Sequence, residues 1–288
     1  MIIDSHAHAD YLGYNFTKTL ENMKQCNIDK AWLLTLETLE GEYDPGLYWD
    51  GTFGDKVDGL MPFSTALSWY ERAPEKFILG YGVDPRRPDA IGRLKTAIET
   101  YNVQVYGELM LRMMYDNLDA IRMFRFCGKR GLPVIAELMQ GIEDGKPNPR
   151  PDWWYGGGIE AYEHAIKACP ETVFLGHGPG FWAHISNDRE YEKYIYPDSK
   201  VVPGGKLIEM MQKYPNLYCD LSANSGLIAL KRDIGFTKQF ILEFQDRMVY
   251  GRDNCTNHLQ EFINGLGFPK DVLDKIYYGN SLKLVPLK

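Results

Sequence analysis

Two histidines one residue apart, His6 and His8, stand at the end of the first apolar run of the chain. If Met1 to His8 is a strand, its period of two puts both imidazoles on one face, about 7 Å apart between Cα atoms. Two nitrogens held that way suit a single metal ion, whereas an isolated H-x-H is more often a core histidine beside a solvated one. Position decides between them. Asp4 precedes the pair, and later apolar runs also end in residues of ligand or proton-transfer type: Glu108, Glu137, His177 and Asp253. His177 lies in Gly176-His177-Gly178-Pro179, where glycines allow close backbone approach and an exposed imidazole. Asp253 also reads as a helix N-cap, and Glu108 as a buried carboxylate paired with Arg112.

The elements before these residues decide where they go. Phe16, Leu20, Met23 and Cys26 recur at spacings of four and three, the mark of an amphipathic helix. Ala31 to Leu36 is a continuous apolar run, as expected of a strand buried on both faces. The alternation repeats, with strands over Phe77–Tyr81, Val103–Leu109, Pro133–Glu137, Thr172–Gly176, Leu217–Leu221 and Met248–Gly251. Helical spacing marks Ser64–Ala73, Ile91 to Ile98, Leu118 to Phe124, Ile159 to Ile166, Leu207–Met211 and Phe236–Phe244 between them. Eight strands alternating with helices predict an α/β fold, the (β/α)8 TIM barrel, as one domain over residues 1–288 with long loops at about 37–63, 139–158 and 178–205. A doubly wound open sheet is the alternative. It usually has fewer strands, and no Gly-rich phosphate loop follows a strand here, since Gly156-Gly157-Gly158 follows none directly. Barrel active sites are built at the C-terminal ends of the strands, where His6, His8, Glu108, Glu137, His177 and Asp253 all stand.

Composition bounds the rest. The 288 residues are 44% hydrophobic and 13% aromatic, enough for one large core. No apolar stretch reaches the roughly 18 residues of a membrane-spanning helix, so no membrane partner is expected. The first residues already read as a strand, which leaves no room for a signal peptide and makes a cytoplasmic location the expectation. Cys26, Cys127, Cys169, Cys219 and Cys255 show neither a disulfide framework nor a zinc-knuckle spacing, in keeping with a reducing compartment. A net charge of −7 without acidic runs argues against a nucleic-acid surface. A small-molecule substrate remains, in a chain whose subunit number is open between monomer and homo-oligomer.

Six segments carry a resemblance to a known family. Asp4-Ser5-His6-Ala7-His8, Gly131-Leu132-Pro133-Val134, Gly176-His177, Asn216-Leu217-Tyr218-Cys219-Asp220-Leu221-Ser222, Tyr250-Gly251-Arg252-Asp253 and Gly279-Asn280 span nearly the whole chain in order. Together they resemble the amidohydrolase superfamily, in the amidohydrolase-related branch that includes the aminocarboxymuconate-semialdehyde decarboxylases. The resemblance implies a divalent metal, usually zinc, held by the H-x-H pair, a strand-five histidine and the strand-eight aspartate. It also implies a strand-six histidine in contact with the attacking water or the substrate. His6, His8, His177 and Asp253 match these places. Glu137 holds the strand-five place, and no histidine occurs between His8 and His164. Two imidazoles with Glu137 and Asp253 form a harder, more anionic set than three histidines, which leans toward manganese or iron as well as zinc. Glu108, if it joins, allows a second, weaker ion bridged by a carboxylate.

The activity this implies is hydrolysis of a C–N or C–O bond (amide, lactone or ester) by a metal-activated water. His177 would steady the oxyanion, and Asp253 would take the water's proton and return it to the leaving group. A decarboxylase on the same scaffold, a metal-free lactonase and a non-catalytic binding protein are the alternatives. Candidate substrate contacts are Trp153, Trp154 and Tyr155 after strand five, Phe181 and Trp182 after strand six, and Arg112 and Arg252, either of which suits a carboxylate. His164, His184 and His258 fall in no motif and read as structural.

Overall fold

The computed structural model describes residues 1–38, 61–139 and 155–287. Parallel strands β1 (Ile3–His8), β2 (Lys30–Leu34), β3 (Phe77–Leu79), β4 (Tyr106–Leu109), β5 (Val134–Glu137), β6 (Phe174–His177), β7 (Leu217–Asp220) and β8 (Met248–Val249) follow one another in chain order. Their ladders run β1-β2-β3 and β4-β5-β6-β7-β8, and two seams close these into a ring. At one, Tyr81 N–H donates to Val105 O (3.0 Å) and Gln104 N–H to Leu79 O (2.9 Å). At the other, Ser5 N–H donates to Tyr250 O (3.0 Å) and Asp253 N–H to His6 O (2.9 Å). The expected (β/α)8 barrel is therefore the observed fold, and the open sheet is excluded.

Helices α1 (Phe16–Gln25), α2 (Phe63–Arg72), α3 (Ala90–Tyr101), α4 (Leu118–Arg130), α5 (Gly158–Ala168), α6 (Pro179–Trp182), α7 (Lys206–Lys213), α8 (Ala223–Lys231), α9 (Ile234–Phe244), α10 (His258–Gly265), α11 (Lys270–Asp274) and α12 (Asn280–Leu284) return the chain outside the ring. Their ends follow local chemistry. The Asn15 and Asn117 side chains accept from Lys18 N–H and Asp119 N–H at the starts of α1 and α4, and Gly131 closes α4 in the left-handed region at φ 68°.

Side chains alternate in and out along the strands. Ile3, Trp32, Leu34, Ile78, Val105, Ile135, Leu175, Tyr218 and Val249 fill the barrel interior, every strand or its first flanking residue contributing, with Val285 in the same cluster. Their neighbours, Leu33, Phe77, Tyr106, Val134, Phe174, Leu217 and Met248 among them, pack outward in a second cluster. Burial on both faces explains why the strands read as continuous apolar runs.

Two elements depart from the expectation. α8 was not foreseen because Asn224, Ser225 and Gly226 are weak helix formers. The third long segment, expected to be irregular from 178 to 205, begins as α6 and a 3₁₀ turn over Ala183–Ile185, all buried. The expected loops at 37–63 and 139–158 fall mostly outside the described residues, and Trp153 and Trp154 fall there too. No helix among the described residues is long and apolar enough to cross a membrane. The five cysteines are all free thiols.

Candidate metal centre

Two irregularities in the ladders aim the first ligands. The register of β1 against β2 shifts between Asp4 and Ala7, and that of β4 against β5 shifts between Tyr106 and Leu109. Ile3 and Val105 face the barrel interior, yet Ala7 and Leu109 pack outward. Strict alternation would have carried Ala7 and Leu109 inward; the bulges instead turn His6, His8 and Glu108 into the mouth. β5, β6 and β7 keep the period of two, so Glu137, His177 and Asp220 follow Ile135, Leu175 and Tyr218 on the inner face. Asp253, after β8, sits at φ 50°. That is an uncommon conformation for a non-glycine residue, and the hydrogen bond from its N–H to His6 O maintains it.

Six side chains converge. His6 Nε2 lies 3.2 Å from His8 Nε2 and 3.2 Å from Glu108 Oε2. Asp253 Oδ1 lies 3.6 Å from His6 Nε2 and 3.3 Å from His8 Nε2, while its Oδ2 lies 3.4 Å from His177 Nε2. His177 Nε2 is in turn 3.6 Å from Glu108 Oε1 and 3.2 Å from Glu137 Oε2. Two groups among the described residues have metal-site geometry: His6, His8 and Asp253, and His6, Glu108 and His177. Gly178, at φ 85°, makes room beside them, since a Cβ there would stand 2.3 Å from Glu137 Oε2.

The hydrogen bonds behind the rings identify what the front can accept. His6 Nδ1 is 2.6 Å from Asp220 Oδ2, and His8 Nδ1 is 3.2 Å from the Leu34 carbonyl oxygen. An ionised carboxylate and a carbonyl only accept, so both Nδ1 atoms carry the proton and both Nε2 atoms present lone pairs when the rings are neutral. Two imidazole lone pairs and the Glu108 and Asp253 carboxylates then face one another at 3.2 to 3.6 Å. Ligand atoms at about 2.1 Å from one ion stand roughly 3.0–3.4 Å apart, so the donor set fits a divalent cation.

Protonation follows the same balance. Burial lowers the affinity of His6 for its proton, but Asp253, Glu108 and Asp220 outweigh it and hold the ring well above the usual histidine range. His177 is likewise raised, to about 9, against burial and the His6 charge, by Glu137, Asp253 and Asp220. Burial opposes ionisation of Glu108, yet the neighbouring imidazoles bring it down to about 2. For Glu137 burial wins over His177, and Glu108 and Asp253 add repulsion, which places it at about 8. Without a cation the centre carries protons on its imidazoles; a divalent ion would replace them.

Several expected substrate contacts have other work. Arg252 is buried, its Nε donating to Asp4 Oδ2 (2.7 Å) and its Nη1 to Asn22 Oδ1 (2.8 Å), so it joins β1 to the end of β8 and is not a substrate arm. Trp182 is also buried; its Nε1–H donates to Asp220 O (3.0 Å) and its ring packs on Phe181 and Phe240, because α6 folds the segment into the core. Phe181 and Tyr155 are buried as well, and Arg112 is half-buried beyond β4. His164 pairs with Asp116 at 3.0 Å, His184 is buried against Tyr191, and His258 begins α10; none of the three joins the cluster.

Two neighbours escaped the sequence reading. Asp220 occupies the end of β7, the same strand-end position as the other ligand types, and that position is its signal in the sequence. Tyr11 stands with its ring edge-on to His8 at 5.3 Å. A tight turn places it, with Tyr14 N–H donating to Tyr11 O (3.0 Å) and with Asp10 and Leu12 left-handed at φ 54° and 52°. Nothing in its spacing distinguishes it from an ordinary loop tyrosine.

No family model and no curated protein matches the sequence. Solved structures do match. An uncharacterised TIM-barrel protein from Bordetella bronchiseptica is 16% identical with a TM-score of 0.66, over 99% of this chain and 98% of that one. A protein from Pseudomonas putida, provisionally assigned as a 2-pyrone-4,6-dicarboxylic acid hydrolase, is 11% identical with a TM-score of 0.62, over 100% and 98%. A dihydroxybenzoic acid decarboxylase from Polaromonas, with bound manganese and the inhibitor 2-nitroresorcinol, is 12% identical with a TM-score of 0.58, over 98% and 96%. At such identities the likeness is one of fold.

Proposed function

We propose that this protein is a metal-dependent hydrolase of the amidohydrolase kind, acting on a C–N or C–O bond (amide, lactone or ester) of a small molecule. The observation that carries the reading is the Asp253 carboxylate, with one oxygen 3.3 Å from His8 Nε2 and the other 3.4 Å from His177 Nε2. It can share an ion through the first oxygen and handle a proton through the second.

His6, His8, Asp253 and Glu108 would hold the ion, and Glu137 with His177 would flank a second, weaker position across Glu108. Two nitrogens and two carboxylates suit zinc, and equally the harder manganese or iron; the similar Polaromonas decarboxylase holds manganese. A divalent ion held by these residues would supply an acidified water and a Lewis acid for a substrate carbonyl. Asp253 would take a proton on the oxygen that faces His177 and return it to the leaving group. His177, whose Nε2 stands 3.4 Å from Asp253 Oδ2 and 3.2 Å from Glu137 Oε2, would donate to the oxygen on which negative charge develops. Tyr11, with its ring edge-on to His8, and Arg112, which follows β4, are the described side chains we propose for contact with the rest of the substrate. The free thiols fit work in the cytoplasm.

Decarboxylation is the second reading, favoured by the fold shared with the dihydroxybenzoic acid decarboxylase. Against it, Arg252, one of two arginines suited to hold a leaving carboxylate, is already engaged by Asp4 and Asn22. A panel of lactones, amides and hydroxybenzoates, assayed for both acid and carbon dioxide release, separates the two. Asp253→Asn is expected to keep much of the metal and to lose about 10²–10⁴-fold in turnover. Full activity in that variant would remove the assigned role, and stoichiometric carbon dioxide would replace hydrolysis by decarboxylation.

A further inference from the structure

Asp220 is completely buried at the inner end of β7, and its ion-pair partners among the described residues are two imidazoles, with no lysine or arginine. Its Oδ2 stands 2.6 Å from His6 Nδ1 and 3.5 Å from His177 Nδ1, and its Oδ1 accepts the Ser222 N–H at 3.0 Å. It lies behind the His6 ring, on the side away from the gathered Nε2 and carboxylate donors, and is absent from both groups of metal-site geometry. We infer that Asp220 is the positioning residue of the centre, fixing which nitrogen of His6 carries the proton and where its Nε2 lone pair points. The inference rests on the metal reading above.

The surroundings hold Asp220 to that task. Trp182 Nε1–H fixes its backbone oxygen at 3.0 Å. Gly251 lets the chain beyond β8 pass close by, since a Cβ there would meet His6 Cβ at 2.9 Å and Asp220 Oδ1 at 3.1 Å. An anion on Nδ1–H makes the opposite nitrogen a better donor to a cation and prevents the ring from turning. The short distance marks a charge-assisted bond. The same carboxylate stands 3.5 Å from His177 Nδ1, whose hydrogen-bond partner is the Ser222 hydroxyl at 3.1 Å.

Asp220→Asn keeps the shape and an acceptor oxygen but loses the charge. On protein shown to be folded by circular dichroism, its Kd for Zn²⁺, measured by chelator competition, is expected to rise about 10–100-fold over the unsubstituted protein. The absorption bands of the Co²⁺ form are expected to shift. A structural role alone would lower the melting temperature and leave both readouts unchanged, and that result would overturn the inference. If the variant does not fold, the zinc-loaded unsubstituted protein with ¹⁵N-labelled histidine supplies the readout. A strongly downfield proton on His6 Nδ1 is expected, and a proton on Nε2 overturns the inference. A parent protein that binds no zinc, manganese or iron defeats the proposed function and this inference with it, whereas a parent that binds and an Asp220→Asn that binds equally defeats the inference alone.

Discussion

At His6 the chemistry is decided by what stands on each side of one ring: a carboxylate at Nδ1, and three further acceptors around Nε2. Such a ring is satisfied either by a second proton or by a cation, and pH selects between them. In the metal-free protein, His177 is raised from 6.5 to about 9 and His6 is raised as well. The stability these rings confer is therefore complete below about pH 6.5 and fades as pH climbs through the folded values. Glu137, raised from 4.5 to about 8, acts in the same direction, because folding takes up a proton between those limits and each rise in pH within them costs stability. The urea midpoint of the metal-free protein is expected to fall from pH 6.5 to 9, while Mn²⁺ affinity rises over the same interval as the ion displaces fewer protons. A midpoint that rises with pH, or a Kd that does not change, would contradict this protonation scheme.

Among the elements, strand ends were legible in sequence because an apolar run followed by a ligand-type residue marks both the strand and its mouth-facing end. The residues so marked, His6, His8, Glu108, Glu137, His177 and Asp253, converge at one rim of the barrel. The bulges in β1 and β4 were not legible, since register is set by the partner strands and leaves no residue signature. Arg252 misled for a similar reason: its partner Asp4 is 248 residues away in sequence and meets it only where β8 closes on β1. That closure can be tested. Arg252→Met leaves the buried Asp4 without its guanidinium partner, and is expected to cost about 3–5 kcal/mol in urea unfolding of the metal-free protein. A loss below about 1 kcal/mol would show that Arg252 does not join the seam.

At the scale of the whole molecule the two ends of the barrel divide the labour. The interior layer and Val285 are apolar and hold the ring together, while the opposite rim concentrates four carboxylates and three imidazoles, from Asp220, Glu108, Glu137, Asp253, His6, His8 and His177, all buried except the partly exposed Asp253. Such a cluster is costly unless something positive completes it. The most direct measurement is anomalous diffraction at the manganese edge from crystals of Mn²⁺-loaded protein. The account predicts a peak within about 2.3 Å of His6 Nε2, His8 Nε2 and an Asp253 oxygen, with Glu108 at or beside the same ion. Crystals with manganese bound elsewhere, or with no peak between those side chains at saturating metal, would contradict it.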